Sequence, residues 1–438
     1  MRHYVEEVVL KNGIRGLLVH VPEAIVMTYD LNFRAGEYLV EKTQWETPHL
    51  MEHVLLGANE SFPKARDFQA EFEKNGAYSN ASTNVYDITY EAECADFEWQ
   101  RVLDLMVTAI TKPLFLEDEF KAEFGNVREE LTSRSNNHFR QLSLLLRKKY
   151  GLVSLSDKER LKLMRNVSLA DVQAHYKKTH TTSNMRFVIC GNITPKRQEI
   201  IKAVLSNLEL VKGSGRGDLP NERPRAIKEP IYIRNRSVDN LYFYIDTFMR
   251  RRLSDPEADS LDLLNIILTE TLYSKILGTA REKGLIYSMS SGYGQLKHAS
   301  NWWFGAQVIP ANAPALFDII VDQLSSVFDG RLTAEEIEAS KAYALGRFQR
   351  SAQTVSGIAG GYAYRYFFDD VIDDYYAVPK RIKAVSKKSI VEVALTMFDD
   401  KIGGFGVLGN CGIDLVRDLH HQTSALWDTA AKDEAKAE

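Results

Sequence analysis

The segment Thr47-Pro-His-Leu-Met-Glu-His-Val-Leu-Leu56 decides how the rest of the chain is interpreted. On a helix, which turns by about 100° per residue, His49, Glu52 and His53 fall on one face. Apolar residues cover the remaining circumference, so we expect this helix to be buried nearly all round. Two imidazoles and a carboxylate are costly to bury unless partners satisfy them.

Two explanations account for this polar face. Two neutral imidazoles one helical turn apart can coordinate a zinc ion and leave the carboxylate free to act on a water. The simpler alternative is a pair of hydrogen-bonded core histidines, which is the more common role of a single buried histidine. Because two histidines and a glutamate share one face, the segment favours the metal site.

Composition excludes several classes of protein. The chain has 438 residues, 45% hydrophobic and 26% charged, which is typical of a soluble globular protein of two or three domains. A net charge of −4 gives no electrostatic case for nucleic acid or a membrane surface. Cys94, Cys190 and Cys411 lie far apart, which fits a reducing compartment. We find no signal-peptide pattern and no long uncharged apolar run, and we therefore expect a cytoplasmic protein without membrane segments.

A linker rich in glycine, proline and charge at 213–224 divides the chain. Two short segments before the linker are similar in sequence to two segments after it. Residues 284–291 resemble 76–82 at an offset of 208 positions, and residues 405–410 resemble 187–192 at an offset of 218. Similar offsets indicate a duplicated unit.

The duplication predicts an α+β fold of two homologous α/β-sandwich halves. Each half is expected to be a mainly antiparallel sheet with helices on one side. The predicted divisions are a first domain at 1–212, the linker at 213–224, a second domain at 225–428 and a disordered tail at 429–438.

A third zinc ligand should come from another element, because a catalytic zinc usually takes three protein ligands. The helical pattern over 118–134 places Glu123 and Glu130 beside its apolar stripe, which consists of Phe120, Phe124, Val127 and Leu131. Glu129 points roughly opposite the apolar stripe, toward solvent. Glu130 is therefore the better ligand candidate and Glu123 a supporting group. On this helix alone, ordinary surface acids remain the favoured explanation.

The sequence resembles the pitrilysin, insulysin and mitochondrial-processing-peptidase family of zinc metallopeptidases. The motif His49-x-x-Glu52-His53 has the inverted order of that family. Further segments match: Arg34-Ala-Gly-Glu37, Asn75-Gly-Ala77 and Asn80-Ala-Ser-Thr83. Glu130 lies 77 residues after His53, which is the family's spacing. The resemblance implies one Zn²⁺ per chain, held by His49, His53 and Glu130.

The resemblance also implies roles for other residues. Glu52 would be the general base toward a zinc-bound water, with Glu123 as a supporting carboxylate in the catalytic group. Arg281 and Tyr287, in the segment Arg281-Glu-Lys-Gly-Leu-Ile-Tyr287, match family residues that contact bound peptide. Without the resemblance, a helix-end ion pair and a core aromatic are the favoured explanations of these two residues.

The strand predicted from Asn80 to Tyr86 is the best candidate for pairing with an extended peptide by strand addition. Asn80 and Ala81 are the predicted substrate-binding residues within it. An ordinary inner strand is the alternative.

The implied function is a zinc metalloendopeptidase that hydrolyses short unfolded peptides in an enclosed chamber. The second half would close over the substrate, so that the two halves form half of a clam-shell. A homodimer is favoured because the metal set and the Arg281/Tyr287 pair occur in one chain, and a heterodimer is the alternative. The alternative function is a non-catalytic or partner-dependent subunit of a peptidase-like heterodimer. Pro48 and Gly57-Ala58-Asn59 depart from the family pattern and could alter the edge of the site, and the change at Gly57-Ala58-Asn59 keeps that alternative open.

The pattern Gly404-Phe-Gly-Val-Leu-Gly409 fits G-x-G-x-x-G. No βαβ unit is predicted around it, so we do not expect dinucleotide binding.

Overall fold

The computed structural model describes residues 1–434, which fold as two compact units. The first unit comprises residues 1–133, 157–219 and 349–375, and the second comprises 134–156, 220–348 and 376 onward. Each unit combines one sheet with helices, which confirms the predicted α+β class. In the described part of the chain, no helix combines the length and apolar character needed to cross a membrane.

Eleven strands form the two sheets of the described chain. The sheet of the first unit has the order β1-β2-β6-β3-β5-β4, and that of the second has the order β7-β11-β8-β10-β9. In chain order the strands are β1 (Tyr4–Val9), β2 (Arg15–His20), β3 (Val26–Phe33), β4 (Tyr78–Thr83), β5 (Ile88–Ala95), β6 (Arg186–Gly191), β7 (Ile231–Arg234), β8 (Leu241–Met249), β9 (Met289–Gln295), β10 (Ser300–Val308) and β11 (Ile402–Gly409).

The two sheets have matching topology. Strands β2, β6, β3, β5 and β4 correspond in order to β7, β11, β8, β10 and β9. The pairs β2–β6 and β7–β11 are parallel, and the other neighbouring pairs are antiparallel. This correspondence confirms the predicted duplication and the mainly antiparallel character of both halves.

Sixteen α-helices connect and cover the strands within residues 1–434. In chain order they are α1 (Thr47–Leu55), α2 (Ala65–Glu73), α3 (Trp99–Thr111), α4 (Glu117–Arg134), α5 (His138–Tyr150), α6 (Asp157–Leu163), α7 (Leu169–Thr179), α8 (Pro195–Ser206), α9 (Asp255–Asn265), α10 (Leu277–Glu282), α11 (Ala313–Phe328), α12 (Ala334–Ser351), α13 (Val355–Asp369), α14 (Val378–Ala384), α15 (Lys387–Asp399) and α16 (Ile413–Glu434).

Each sheet carries helices on both faces, so the prediction of helices on one side is wrong. In the first unit, α3 packs on one face of the sheet and α13 covers β3 and β6 on the other. In the second unit, α5 packs against β8 and β11. The physical reason lies in the central strands, because β6 is buried at every position and therefore needs cover on both faces.

The helices that provide this second cover come from distant parts of the sequence. Helix α5 follows α4 in the chain but belongs to the second unit, and α13 follows α12 but belongs to the first. The predicted contiguous domains, 1–212 and 225–428, therefore miss these two segments. The main boundary, between residues 219 and 220, does fall inside the predicted linker.

Two further predictions need correction. The predicted strand from Asn80 to Tyr86 ends at Thr83, because the Asn84 side chain accepts the backbone N–H groups of Tyr86 and Asp87 and closes a turn. Disorder was expected over 429–438, but α16 continues through Glu434, and residues 435–438 lie outside the described residues.

Glycines in β11 allow α5 to approach the sheet closely. A Cβ atom on Gly404 would lie 2.3 Å from the hydroxyl oxygen of Tyr150, and one on Gly406 would lie 2.8 Å from Leu142 Cδ1. The G-x-G-x-x-G pattern therefore lies in an inner strand packed beneath a helix, not in a phosphate-binding turn.

We expect Gly404→Ala to lower the free energy of unfolding by about 1–3 kcal/mol, because the buried Tyr150 ring has no room to move away. Gly346→Ala is the matched control. It lies within α12 with no atom within 4 Å of the added methyl group, and we expect it to stabilise the protein by about 0.5–1 kcal/mol. Urea unfolding followed by circular dichroism measures both. Equal stability of Gly404→Ala and the wild-type protein would contradict this explanation of the glycines.

Candidate metal centre

Helix α1 is buried on nearly all sides, as its sequence predicts. Pro48 stands in the first turn, where its missing N–H group costs no hydrogen bond. His49 and Glu52 are only 3% and 8% exposed, and His53 is partly buried. The apolar residues around them are fully buried: Leu50, Met51, Val54 and Leu55. The polar face of α1 therefore needs partners from other elements.

Both histidines of α1 meet Glu130 of α4. His49 Nε2 lies 3.0 Å from Glu130 Oε2, and His53 Nε2 lies 3.6 Å from the same oxygen. One ligand atom from each of the three residues lies within 4.8 Å of the others. Within the described residues this is the only such group of His, Cys, Asp or Glu side chains. Glu129 is exposed and points away, as the helix periodicity predicts.

The other ring nitrogen of each histidine meets a different carboxylate. His49 Nδ1 lies 3.1 Å from Glu46 Oε2, and His53 Nδ1 lies 2.9 Å from Glu123 Oε2. When each Nδ1–H donates to its carboxylate, both Nε2 atoms are left to coordinate a cation. Carboxylates hold zinc-binding histidines in this way in other proteins, so this donor set fits a zinc ion.

Charged side chains surround the two imidazoles: Glu46, Glu52, Glu123, Glu130 and Arg160. A divalent cation between the imidazoles would be attracted by these carboxylates.

The carboxylates around the two histidines favour their protonated forms. Burial lowers the pKa of His53, but hydrogen bonds to Glu123 and Glu130 outweigh it and raise that pKa to about 9. Burial likewise opposes charge on His49, and contacts with Glu130 and Glu46 raise its pKa above the usual value. A metal ion must displace these protons, so metal binding should strengthen as pH rises.

Glu46 is held by an arginine from a distant helix. Its side chain is completely buried, and Arg160 of α6 donates to it through Nε at 2.5 Å and Nη2 at 2.9 Å. Burial alone would raise the pKa of Glu46, but the hydrogen bond from His49 and the charge of Arg160 lower it to about 2. Glu46 is therefore ionised at neutral pH and can make His49 a stronger ligand.

Glu52 lies beside the three ligand candidates but contacts a strand. The hydroxyl of Thr83 donates to Glu52 Oε2 at 2.5 Å. Thr83 is the last residue of β4, which forms the edge of the sheet. The carboxylate of Glu52 is thereby fixed between the ligand candidates and an open strand edge.

The departure from the family pattern at Gly57-Ala58-Asn59 leaves the donor set intact. The backbone N–H of Ala58 donates to Glu119 Oε1 at 2.6 Å, and the buried Asn59 accepts backbone N–H groups from the turn that follows. A side chain at position 57 would meet the Glu119 carboxylate at 2.0 Å. The segment thus packs against α4 one helical turn from Glu123.

The remaining predicted residues lie outside this group. Arg281 and Tyr287 belong to the second unit, where Arg281 donates to the carbonyl oxygen of Tyr287 at 2.6 Å and lies 4.7 Å from its ring centre. Tyr287 is 77% exposed. In β4, Asn80 is exposed and Ala81 is partly buried.

Three contributors to the site are not among the residues predicted from the sequence. Glu46 precedes His49 by one helical turn, and that spacing is a signal that could have identified it. Thr83 lies in a segment that matched the family, but its contact with Glu52 depends on the pairing of strands. Nothing in the local sequence points to Arg160, whose partner lies 114 residues earlier.

We expect Glu130→Gln to weaken zinc binding at least about tenfold, because an amide oxygen is a poorer ligand than a carboxylate. Glu129→Gln is the matched control, since it makes the same change on the exposed side of the same helix. Competition with a chromophoric chelator measures both affinities. Equal affinities of the two variants would remove Glu130 from the ligand set.

Glu46→Gln should weaken zinc binding by about 10- to 100-fold without removing a ligand, because the uncharged amide no longer polarises His49. Glu41→Gln, at an exposed position nearby, should leave the affinity unchanged. The same competition assay reports both. An unchanged affinity in Glu46→Gln would show that the buried carboxylate serves stability alone.

Two matches to known protein families together cover more than half of the chain. Residues 27–152 match the family described as Insulinase (Peptidase family M16), and residues 166–343 match the Peptidase M16 inactive domain. A segment of 123 residues is 25% identical to Insulin-degrading enzyme-like 2 of Arabidopsis thaliana and 27% identical to Protease 3 of Escherichia coli (strain K12). Each match spans 28% of this chain and only 13% of the relative's length.

Solved structures with the same fold cover nearly the whole chain. A protease from Helicobacter pylori superposes with a TM-score of 0.81 at 20% identity, over 93% of this chain and 100% of that one. The peptidase M16 inactive domain from Pseudomonas fluorescens gives 0.79 at 17% identity, over 93% and 98% of the two chains. With the two family matches, these similarities lead to one conclusion: the chain belongs to the M16 (insulinase) family of peptidases.

Proposed function

We propose that this protein is a zinc-dependent endopeptidase that hydrolyses extended peptides. The observation that carries the proposal is the position of Glu52, a buried carboxylate between a zinc-type donor set and an open strand edge. A general base, a cation site and a place for an extended backbone thus occur together in the first unit.

His49, His53 and Glu130 would hold the zinc ion, with Glu46 and Glu123 orienting the two imidazoles. A zinc ion held there supplies Lewis acidity, which polarises a peptide carbonyl and makes water more acidic. Three protein ligands are the number that catalytic zinc sites commonly use.

Glu52 acts as the general base. Its carboxylate accepts a proton from the water that attacks the peptide carbonyl carbon, and returns that proton to the leaving amine nitrogen. The hydrogen bond from Thr83 limits rotation of the carboxylate and keeps it directed toward the strand edge. A base that is already oriented loses less entropy when the substrate binds.

Strand β4 supplies the backbone that binds the substrate. It pairs with β5 on one side only, so its other edge offers main-chain donors and acceptors to an extended peptide. Folded substrates cannot present such a backbone, which restricts the enzyme to unfolded segments. Asn80 and Ala81 lie in the middle of this strand, and we assign them to peptide binding.

Arg281 and Tyr287 are proposed as the peptide contacts of the second unit. The exposure of Tyr287 and its contact with the Arg281 guanidinium support this role, since both side chains are available to a ligand.

The alternative, a non-catalytic subunit, is less well supported. The segment that carries His49, Glu52, His53 and Glu130 matches the insulinase family itself, and the match to the inactive domain begins only at residue 166. The altered turn after α1 packs without displacing any donor.

We expect Glu52→Gln to retain zinc and to cleave peptides about 10²- to 10⁴-fold more slowly than the wild-type protein, because the amide cannot take up a proton. The amide oxygen can still accept the Thr83 hydroxyl, so the local structure should persist. Mass spectrometry of a mixture of unfolded peptides gives the cleavage rates, and elemental analysis gives the zinc content. Glu129→Gln is the control and should cleave at the wild-type rate.

Wild-type protein that carries one zinc per chain and cleaves none of the peptides would contradict the endopeptidase proposal. The non-catalytic subunit would then be the better explanation.

A further inference from the structure

Three arginines lie close together in the first unit, outside the candidate metal centre. Arg186 donates to both oxygens of Asp370, at 2.5 and 3.3 Å. Arg216 Nη1 lies 3.8 Å from one of the same oxygens. Arg34 donates to the backbone carbonyls of Gly217 and Phe368 at 2.7 and 2.8 Å. Asp370 therefore lies beside two guanidinium groups, and the charge of Arg34 also acts on Arg216.

Several donors in this cluster have no hydrogen-bond acceptor among the described residues. They are Arg34 Nε, Arg216 Nε and Nη1, and the hydroxyl of Tyr38. The side chain of Arg216 is only 4% exposed, and its Nη2 donates to Asn32 Oδ1. Tyr38 lies beside Gly217, at which an added Cβ would stand 3.8 Å from the hydroxyl oxygen. Buried donors without acceptors are rare because each costs free energy.

Three carboxylates also lie within electrostatic reach of the cluster: Asp87, Asp218 and Asp370. Burial still opposes the charge on Arg216. Burial lowers the pKa of Arg216 to about 9, and repulsion from Arg34 and Arg186 acts in the same direction. Asp370 and Asp87 offset only part of this effect. A buried guanidinium without full compensation is unfavourable, and an anion beside it would remove much of the cost.

We propose that Arg34, Tyr38 and Arg216 form a binding site for an oxyanion, either a carboxylate or a phosphate group. The groups available for bonding are N–H and O–H donors, and guanidinium groups match the oxygens of carboxylates and phosphates closely. The cluster can be reached from solvent, since Arg34 is partly buried and the Asp370 side chain is 30% exposed.

The oxyanion site lies next to the end of the substrate-binding strand. The backbone N–H groups of Gly36 and Tyr38 donate to the carbonyls of Tyr86 and Val85, just beyond the last residue of β4. An acidic group on a peptide or a free phosphate could both reach this position. The inference concerns binding and holds whether or not the chain is a peptidase.

The test is calorimetric titration of the full-length protein with inorganic phosphate, in chloride buffer of matched ionic strength. A second titration uses an acetylated short peptide with a free C-terminal carboxylate, and its amidated form as the control. Each titration is repeated after the metal has been removed by chelation, so that binding at the metal centre is distinguished from binding at the arginines.

We expect at least one of the two oxyanions to bind at a single site, with or without metal, and the amidated peptide to bind much more weakly. Arg216→Gln should abolish this binding, and Tyr38→Phe should weaken it about tenfold through loss of one hydrogen bond. The control is Arg197→Gln, at a guanidinium fully paired with Asp96 near the opposite end of β3, and it should bind as the wild-type protein does. Binding of phosphate alone or of the carboxylate alone identifies the natural class of ligand.

A second readout covers the case in which Arg216→Gln alters the fold. In chloride buffer, the circular dichroism spectrum and the unfolding temperature of this variant show whether it keeps the wild-type fold. If it does not fold, Tyr38→Phe still tests the site, since it keeps the ring. The proposal is overturned if neither oxyanion binds after chelation, or if Arg197→Gln loses as much affinity as Tyr38→Phe.

Discussion

The ion pair between Arg160 and Glu46 is the interaction on which the metal centre depends. Glu46 has no access to solvent, and a carboxylate in that position without a cation beside it would be protonated or would destabilise the fold. With Arg160 in place, it stays charged and accepts a hydrogen bond from His49. The orientation of a ligand on α1 thus depends on a residue of α6, whose own contribution is a charge and not a ligand atom.

The segment from Arg34 to Glu37 joins this network to the end of β4, the strand proposed to bind substrate. Glu37 lies 3.5 Å from Arg160, so the charge of that arginine is shared by two buried carboxylates. Gly36 packs so closely against the turn after β4 that a Cβ atom would lie 2.3 Å from the carbonyl oxygen of Asn84. Buried contacts therefore fix the candidate metal centre, Glu52 and the edge of β4 relative to one another, as the proposed catalysis requires.

Sequence periodicity predicted the parts of the site that are local. The face of α1 and the different exposure of Glu129 and Glu130 follow from the geometry of a single helix, and in the structure Glu129 is exposed while Glu130 lies near the histidines. The pair of Arg160 and Glu46 could not be predicted, because it joins residues 114 positions apart. The exchange of α5 and α13 between the units was missed for the same reason. The apolar sequence of β6 indicates that both faces of the sheet are covered, but it does not identify the segment that packs on the second face.

The two units place different residues where equivalent helices meet. In the first unit this contact forms a metal-type donor group, and in the second it forms an ion pair. Helices α4 and α12 both have 18 residues, and Glu130 and Arg347 each stand four residues before the end of their helix. Where Glu130 meets the histidines of α1, Arg347 binds Asp262 of α9, the counterpart of α1, and also Glu270 at 2.7 Å.

An arginine at this position places a fixed positive charge where the first unit gathers carboxylates, and a fixed positive charge repels a metal ion. Among the described residues, a metal-type donor group accordingly occurs only in the first unit, although both units share one topology. The presence of a metal-type donor group in only one unit therefore follows from the residues at one helix crossing and not from the shared topology.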